Sequence, residues 1–543
     1  MIKRRLVFLT VNCSYSHSSL ALPLLHGSCR DIDGWEWIRY DMLNTNDVGE
    51  AVRDIYSLRC DLLAADLYLF NRQTALEVLQ RYHVLAPECR IVVGGPECLG
   101  EGADELLSQY PWLDRIFRGE GEEIFRDYLL QFDAVDRSLH PVVPADGNAV
   151  YMNWAAGACP AEDPFFVADK PFVQMETSRG CPMKCFYCTS GNTLTRYRDL
   201  EQVRGELNLL AAKGVREIRV LDRTFNLPQE RGAALLRMFR EEFPEIKFHL
   251  ELHPQFLNEA MRREIEQALP GQLHIEVGVQ CLNKEVQQLS GRRGDSEAVL
   301  DGLDFLCRQT AFETHADLLA GMPGQNWSNT VADTVTLMKL NVAEIQLEIL
   351  KVLPGTPLRR IAAEHGMKYS TSAPYDVMAT DTMSLEEIQQ ARDLSHLLDM
   401  TYNHKFLHPA VWLMNEECPE FLPAFMEFFH SCGGGAMVLW DLKKRFIFLL
   451  EFCQKYHLQR AHAVLAYQWL LAGYPPAQGP DMFSRKIEKL PGEVQYLSGS
   501  EEVVCARESR YWEFSMQEKT YFFVYNRQFA PNRPAAVLAL IPN

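Results

Sequence analysis

The sequence predicts an α/β protein in three parts: a doubly wound parallel sheet, a central six-unit βα partial barrel, and a C-terminal α+β region. Three observations carry this. Short apolar runs alternate with amphipathic ones up to residue 133. The alternation resumes from Pro171 to about Arg360. Beyond about Ser370 it stops, and helical patterns are followed by strand patterns. Such alternation implies right-handed βαβ units and a parallel sheet covered on both faces.

In the first part, taken as residues 1–140, strands are predicted at Leu6–Val11, Trp35–Tyr40, Leu62–Leu69, Arg90–Val93 and Arg115–Phe117. Helices are predicted at Ala21–Ser28, Asp47–Leu58, Gln73–Leu85, Gly102–Gln109 and Glu122–Gln131. Ligands of such sheets bind beyond the carboxyl ends of the strands. Those ends carry "NCSYSHSS" (12–19), "YLFN" (68–71), "GGPE" (94–97) and "RGEGEE" (118–123). Paired glycines directly after a strand allow positive φ or close approach of backbone to a ligand. Residues 141–170, with scattered Pro, Gly and Asp, read as a linker.

The barrel, residues 171–370, has strands predicted at Phe172–Thr177, Glu217–Leu221, Lys247–Leu252, Leu273–Val279, Thr314–Leu319 and Glu344–Val352. Its helices are predicted at Leu200–Lys213, Gln229–Phe243, Asn258–Leu269, Ser296–Gln309 and Ser328–Leu340. Chemistry in such a barrel sits at the carboxyl ends of its strands. In residues 371–543, Leu385–Asn403, Glu420–Ser431 and Met437–Leu471 read as helices. Glu493–Leu497, Val503–Ala506, Tyr511–Met516, Tyr521–Tyr525 and Ala535–Ile541 read as strands. The aromatics Trp412, Trp440, Trp469, Phe446 and Phe448 are read as core.

Bulk composition narrows the class. With 47% hydrophobic and 23% charged residues, the 543-residue chain is an ordinary globular protein. No run approaches the roughly 18 apolar residues of a membrane span. The basic and apolar start, MIKRRLVFLT, imitates a leader, but its apolar run is short and no small-residue cleavage site follows. A cytoplasmic protein is expected. The net charge of 54 − 72 = −18 disfavours a general nucleic-acid partner. Fifteen irregularly spaced cysteines do not suggest a secreted disulfide framework. Isolated ones such as Cys29, Cys60, Cys307 and Cys453 read as small buried hydrophobes.

Cys181, Cys185 and Cys188 differ. They lie in "SRGCPMKCFYCTSG" (178–191), just after the first barrel strand. Zinc would want a fourth ligand, and the next histidine is His249. A redox pair of Cys185 and Cys188 would leave Cys181 idle. An iron–sulfur cluster normally takes four thiolates, so three would leave one iron open to a substrate or cofactor.

CxxxCxxC with an aromatic before the last cysteine, at the first strand of a βα barrel, resembles the radical S-adenosylmethionine (SAM) superfamily. Its segments follow in order: "LDRTFN" (221–226), "HLELHP" (249–254), "IEVGVQ" (275–280), "DLLAGMPGQ" (317–325) and "LKVLPGTPL" (350–358) resemble strands two to six of its partial TIM barrel. The resemblance implies that Cys181, Cys185 and Cys188 hold a 4Fe-4S cluster whose open iron chelates SAM. An electron then cleaves SAM to a 5′-deoxyadenosyl radical, which takes hydrogen from the substrate. Tyr187, Asp222, Glu251, Glu276, Gln280, Gly321 and Pro323 become SAM-site candidates. An external electron donor of flavodoxin or ferredoxin type is implied.

Next to such a barrel, "NCSYSHSSLAL", "DLYLFN", "VVGGPE" and "RGEGEE" resemble the Rossmann-like cobalamin-binding domain of B12-dependent radical SAM enzymes. This makes Ser14, Tyr15, Ser16, His17, Ser18, Tyr68, Asn71, Gly94, Gly95, Pro96, Glu97, Gly119, Glu120, Gly121 and Glu122 cobalamin-site candidates. The DxHxxG motif is absent, so cobalamin is expected without histidine on cobalt, and His17 is expected to make a loop hydrogen bond. Residues 371–543 resemble an uncharacterised extension found on some members of the group.

The resemblance implies a C-methyltransferase acting on a small-molecule or peptide substrate, with methylcobalamin supplying the methyl group to a carbon radical. Cyclisation, ring contraction, oxygen insertion or another rearrangement on the same cofactors is the first alternative. A methylthiotransferase is the second, with Cys13, Cys60 and Cys98 imitating its extra cysteine triad. A non-catalytic cobalamin or metal module is the third.

Overall fold

The computed structural model describes residues 3–134, 140–145, 149–152, 157–191, 193–310, 312–474, 484–516, 518–530 and 533–541. Parts of the expected linker lie outside these. By contacts the chain forms two units, residues 1–329 with 349–388 and residues 330–348 with 389–543.

The first unit opens with a parallel sheet of β1 (Arg4–Asn12), β2 (Trp35–Leu43), β3 (Leu62–Asp66), β4 (Arg90–Gly94), β5 (Arg115–Phe117) and β6 (Val142–Val143), in the order β2-β1-β3-β4-β5-β6. The continuous apolar run Leu6–Val11 is buried on both faces, as a central parallel strand requires. Alternate residues serve opposite cores: Val7, Leu9, Leu63, Ala65 and Val93 on one side, Leu6, Phe8, Leu62, Ala64 and Val92 on the other. Because β2 and β3 flank β1 on opposite sides, the strand order reverses there. A crevice opens at that point beyond the carboxyl ends. β6 lies just past the expected boundary at residue 140 and pairs with β5 (Ile116 with Val142), so the start of the expected linker belongs to this sheet.

All six barrel strands form: β7 (Val173–Met175), β10 (Glu217–Val220), β11 (Lys247–Leu252), β12 (Leu273–Gln280), β13 (Thr314–Ala320) and β14 (Glu344–Ile349). The first five pair in parallel in chain order. On β11, Phe248, Leu250 and Leu252 are buried, and Phe248 stacks on Phe239 of helix Gln229–Glu242 at 3.8 Å. That face meets the helices. The alternate residues His249 and Glu251 therefore face the lumen.

Between β7 and β10 the chain makes an antiparallel hairpin of β8 (Ser178–Cys181) and β9 (Thr193–Tyr197), a stretch to which the sequence reading assigned no element. Its strands are short and mostly polar, so they show no clear two-residue alternation.

In the second unit, helices His408–Glu417, Phe421–Ser431, Leu442–Tyr456 and Gln459–Leu471 pack in front of an antiparallel sheet in chain order. The sheet runs Ser484–Ile487, Arg510–Met516, Lys519–Tyr525, Ala536–Leu540, Val494–Ser498. The single helix expected over Met437–Leu471 is two, broken at His457, whose φ of 59° ends the first. Unbroken apolar periodicity hid that turn. The strand expected at Val503–Ala506 is the helical turn Glu501–Cys505. Its paired valines suggested a strand, but two glutamates at its start suit a helix N-terminus. Trp440, Phe446, Phe448 and Trp469 are buried, and Phe446 meets Trp469 edge-on at 5.5 Å. No helix among the described residues is long and apolar enough to cross a membrane.

Trp469 is 1% exposed. Its replacement by Ala should cost about 3–5 kcal/mol through lost burial and a cavity. Urea unfolding followed by a probe in the second unit checks this; a loss under about 1 kcal/mol would contradict a core role.

Candidate active site

A cavity of about 660 Å³ opens at the crevice of the first sheet. All four expected loops reach it, through His17 and Ser18, Tyr68 and Asn71, Gly94 to Pro96, and Gly119 to Glu122. Asn71 is buried and joins the ends of β1 and β3: its Nδ2 donates to the carbonyls of Val11 (3.2 Å) and Asp66 (3.1 Å). Gly95 has φ 103°, and a Cβ there would stand 2.7 Å from the Leu67 carbonyl oxygen, so only glycine leaves this floor open. His17 Nδ1 bonds Ser14 Oγ at 2.7 Å, and the ring packs edge-on against Phe172. Burial holds the His17 pKa below its ordinary value, with the Arg219 charge adding to that.

Ser14, Tyr15, Ser16 and Glu97 do not line the cavity. Tyr15 is exposed beneath Lys170 Nζ, 3.7 Å from its ring. Glu97 is buried, paired with Arg72 at 3.3 Å and accepting the Tyr375 hydroxyl at 2.8 Å, so it anchors its loop instead. Asp66 and Ser19, which stand in the quoted segments "DLYLFN" and "NCSYSHSS" but were not singled out there, also line it. Asp66 is fully buried, which raises its pKa to about 7. Its Oδ2 accepts from Ser19 Oγ at 2.7 Å, while its buried Oδ1 has no partner among the described residues. The only sequence signal was a carboxylate closing an apolar strand.

The opposite wall comes from the barrel mouth and the hairpin: Glu176, Ser178, Arg179, Gly180, Arg196 and Arg223, with Thr189 and Ser190 beyond the last cysteine. Arg179 bridges Glu122 and Glu176, each at 2.8 Å, and Arg196 Nη1 donates to Glu120 at 2.8 Å. Glu120 and Glu122 therefore line the cavity with their carboxylates already engaged.

Cys181 ends β8, and Cys185 and Cys188 sit on a turn in which the Cys188 amide donates to the Cys185 carbonyl at 3.3 Å. Cys181 and Cys185 are buried. Cys181 Sγ lies 3.5 Å from Thr224 Oγ1. Burial raises the Cys188 thiol pKa, against the pull of Arg223. Asp222 is 2% exposed and takes no part in lining the cavity. Its carboxylate accepts from Thr177 N (2.7 Å), Thr177 Oγ1 (2.5 Å) and Ser178 N (2.9 Å), fixing the start of the cysteine strand to the second barrel strand. Its carboxylate is thus engaged by the chain itself.

Arg292, which the sequence reading did not single out, is buried beside the thiols. It donates to Cys185 Sγ (3.7 Å), the Tyr187 hydroxyl (3.5 Å), His253 Nε2 (3.2 Å) and the Gly278 carbonyl. Burial pushes the Tyr187 phenol well up. Among the described residues no three His, Cys, Asp or Glu side chains converge as ligands of a single ion. Thiolates holding a four-iron cluster bind different irons and stand further apart. Three thiols with two guanidiniums beside them suit such an anionic cluster.

In the lumen, Glu251 and Glu276 are register partners on β11 and β12. Burial above all lifts Glu251 to about 7, with Arg223 at 3.8 Å opposing and Glu276 and Asp317 reinforcing. Glu276 meets His249 Nε2 at 2.8 Å, and Asp317 meets His315 Nε2 at 3.2 Å. Gln280 sits with φ 67° at the bulge where β12 parts from β13. Gly321 and Pro323 lie in the turn after β13, which Gln325 braces through Met322 N (3.0 Å) and the Leu319 carbonyl (2.8 Å).

Comparison with known proteins fits this geometry. Residues 175–337 match the radical SAM superfamily model, and residues 363–519 match a family described only as a protein of unknown function (DUF4080). The chain is 24% identical over 353 residues to the uncharacterized methyltransferase PH0819 of Pyrococcus horikoshii, covering 59% of this chain and 73% of that one. It is 22% identical over 337 residues to the cobalamin-dependent radical SAM methyltransferase TokK of Streptomyces tokunonensis, covering 55% of this chain and 48% of that one. The solved cobalamin-dependent SAM radical enzyme OxsB, with aqua-cobalamin and SAM bound, superposes with TM-score 0.60 at 13% identity, over 86% of this chain and 84% of that one. At that identity the likeness is one of fold.

Asp222→Ala should release the cysteine strand. After anaerobic reconstitution the variant should hold less than half the iron of the parent, with a lowered melting temperature; full iron would show that the strand stands without it.

Proposed function

From a chain whose residues 175–337 are a radical SAM domain, and whose fold is that of the cobalamin-dependent radical SAM enzymes, we propose a cobalamin-dependent radical SAM methyltransferase acting on carbon. When bound, the cluster and SAM supply a 5′-deoxyadenosyl radical, and cobalamin supplies the methyl group. The observation that carries the reading is the shared wall. The cavity at the first sheet's edge is closed on its far side by the hairpin and loop that bear the cysteines.

Roles for the chain's own residues follow from their settings. Cys181, Cys185 and Cys188 would hold the cluster. Arg292, a buried cation beside Cys185 and Tyr187, suits the carboxylate of SAM, and Glu251 suits its amino N–H. Gly94, Gly95 and Pro96 would floor the corrinoid, and the free oxygen of Asp66 would accept one of its amide N–H groups. A small-molecule or peptide substrate, an external one-electron donor and a cytoplasmic location complete the proposal. Fifteen free cysteines favour a reducing compartment.

The methylthiotransferase alternative needs a second cysteine triad. Cys13 is exposed, Cys60 pairs with Cys89 and Tyr82, and Cys98 is wholly buried, so these three make no common site. Cyclisation, ring contraction and oxygen insertion differ from methylation in product mass, and a gain of one CH2 in the trapped product supports the methyl reading.

Two outcomes test the assignments. Cys185→Ser should abolish 5′-deoxyadenosine formation and the cluster's visible absorbance; full retention of both would remove the cluster from this loop. Below about pH 7 Glu251 is largely protonated and offers the cationic SAM no countercharge. SAM affinity should then rise with pH up to that point, by up to about tenfold per unit, while Glu251→Gln binds weakly with a flat profile in equilibrium titration.

A further inference from the structure

A second cavity, of about 530 Å³, lies behind the cysteine loop and shares no residue with the first. Lys184, Lys284, Arg292 and Arg293 contribute to its lining, and no carboxylate does. Lys184, Lys284 and Arg293 are exposed, and none makes an ion pair among the described residues. In a chain of net charge −18 a wholly cationic hollow runs against the general field. Exposed unpaired cations grouped in this way attract an anionic surface over a Debye length.

The floor of the hollow is one peptide bond from a thiol. Phe186, between Cys185 and Tyr187, forms part of it. The Phe186 amide donates to the Ser290 carbonyl at 2.9 Å, seating the aromatic ring on Gly291. Gly291 has φ 66°, and a Cβ there would stand 2.4 Å from the Phe186 ring, so the glycine lets the basic segment press directly on the cysteine loop. Arg292 runs from the lining to Cys185 Sγ at 3.7 Å. The other side of the loop faces the first cavity and the lumen, where cofactor and substrate would lie. The basic hollow is thus a short route from solvent to the cysteine loop, with Phe186 on its floor and Arg292 at its inner end.

We propose that this hollow is the docking site of an acidic flavoprotein electron donor; the proposal rests on the cluster assignment above. The donor's reduced flavin loses one electron and the oxidised cluster gains it, with no bond made or broken and no proton needed. Charge on Lys184, Lys284 and Arg293 steers the encounter, and Phe186 brings the surface within reach of Cys185.

The test uses the reconstituted full-length protein and flavodoxin hydroquinone, with dithionite as a small reductant for comparison. Cluster reduction is followed by its visible bleaching in a stopped-flow instrument. The triple variant Lys184→Glu, Lys284→Glu, Arg293→Glu should be reduced by flavodoxin about tenfold more slowly or worse at low salt. The parent's rate should fall steeply with salt, and dithionite should reduce both alike. The milder triple Gln variant should lie between them and covers a failure of the Glu variant to fold. Equal flavodoxin rates for parent and variants would overturn the proposal. So would slowed SAM cleavage with dithionite, which would mean that the hollow holds a small anion used in turnover. A parent that gains no cluster absorbance would overturn the cluster assignment itself, a failure distinct from the other two.

Discussion

The buried carboxylate of Asp222 is the constraint on which the site depends. It sits at the end of the second barrel strand and takes two backbone N–H groups and a hydroxyl from Thr177 and Ser178, where the chain leaves the first barrel strand. Hydrogen bonds to a charged acceptor contribute about 1.5–3 kcal/mol each, which offsets much of the cost of burying the charge. Burial still raises its pKa. Three residues beyond this anchor comes Cys181. The position of the first thiol relative to the barrel is therefore set by an acid forty-one residues further along the chain.

From that anchor the hairpin reaches outward and is held a second time. Arg179 and Arg196 meet Glu120 and Glu122, which follow the fifth strand of the first sheet at the start of the next helix. One polar wall thus serves the crevice of the sheet and the mouth of the barrel. Its carboxylates are paired with its guanidiniums, and across the cavity Asp66 keeps one buried carboxylate oxygen without a partner among the described residues. An ionic frame around a cavity with one free acceptor gives direction to a ligand rich in amides, and the glycine floor at Gly95 gives it room.

Much of this was legible in the sequence because it follows from period. Two-residue alternation and continuous apolar runs placed the strands of both sheets, and the cysteine spacing marked the loop. Side chains that act by folding back on the backbone were not legible. Asp222 reads as a polar residue at a strand end, whether it binds a ligand or the neighbouring chain. Glu97 shows the same ambiguity, which its buried pairing with Arg72 resolves. Arg292 lies in a polar stretch, and only folding brings it to Cys185, 107 residues away. The hairpin and the break at His457 were hidden because short, mostly polar strands show no clear alternation and a left-handed residue other than glycine leaves no mark in hydrophobicity.

The arginine–glutamate wall also bears on how such chains can be recombined. Glu120 and Glu122 belong to the sheet, and Arg179 and Arg196 to the hairpin of the barrel, so the two parts are not exchangeable modules. A barrel transplanted onto a sheet without these acids would carry two largely buried guanidiniums with fewer countercharges, and an uncompensated buried charge of this kind costs about 3–5 kcal/mol. Inheritance of the sheet and the barrel as a single piece is then a condition of electrostatics as well as of catalysis.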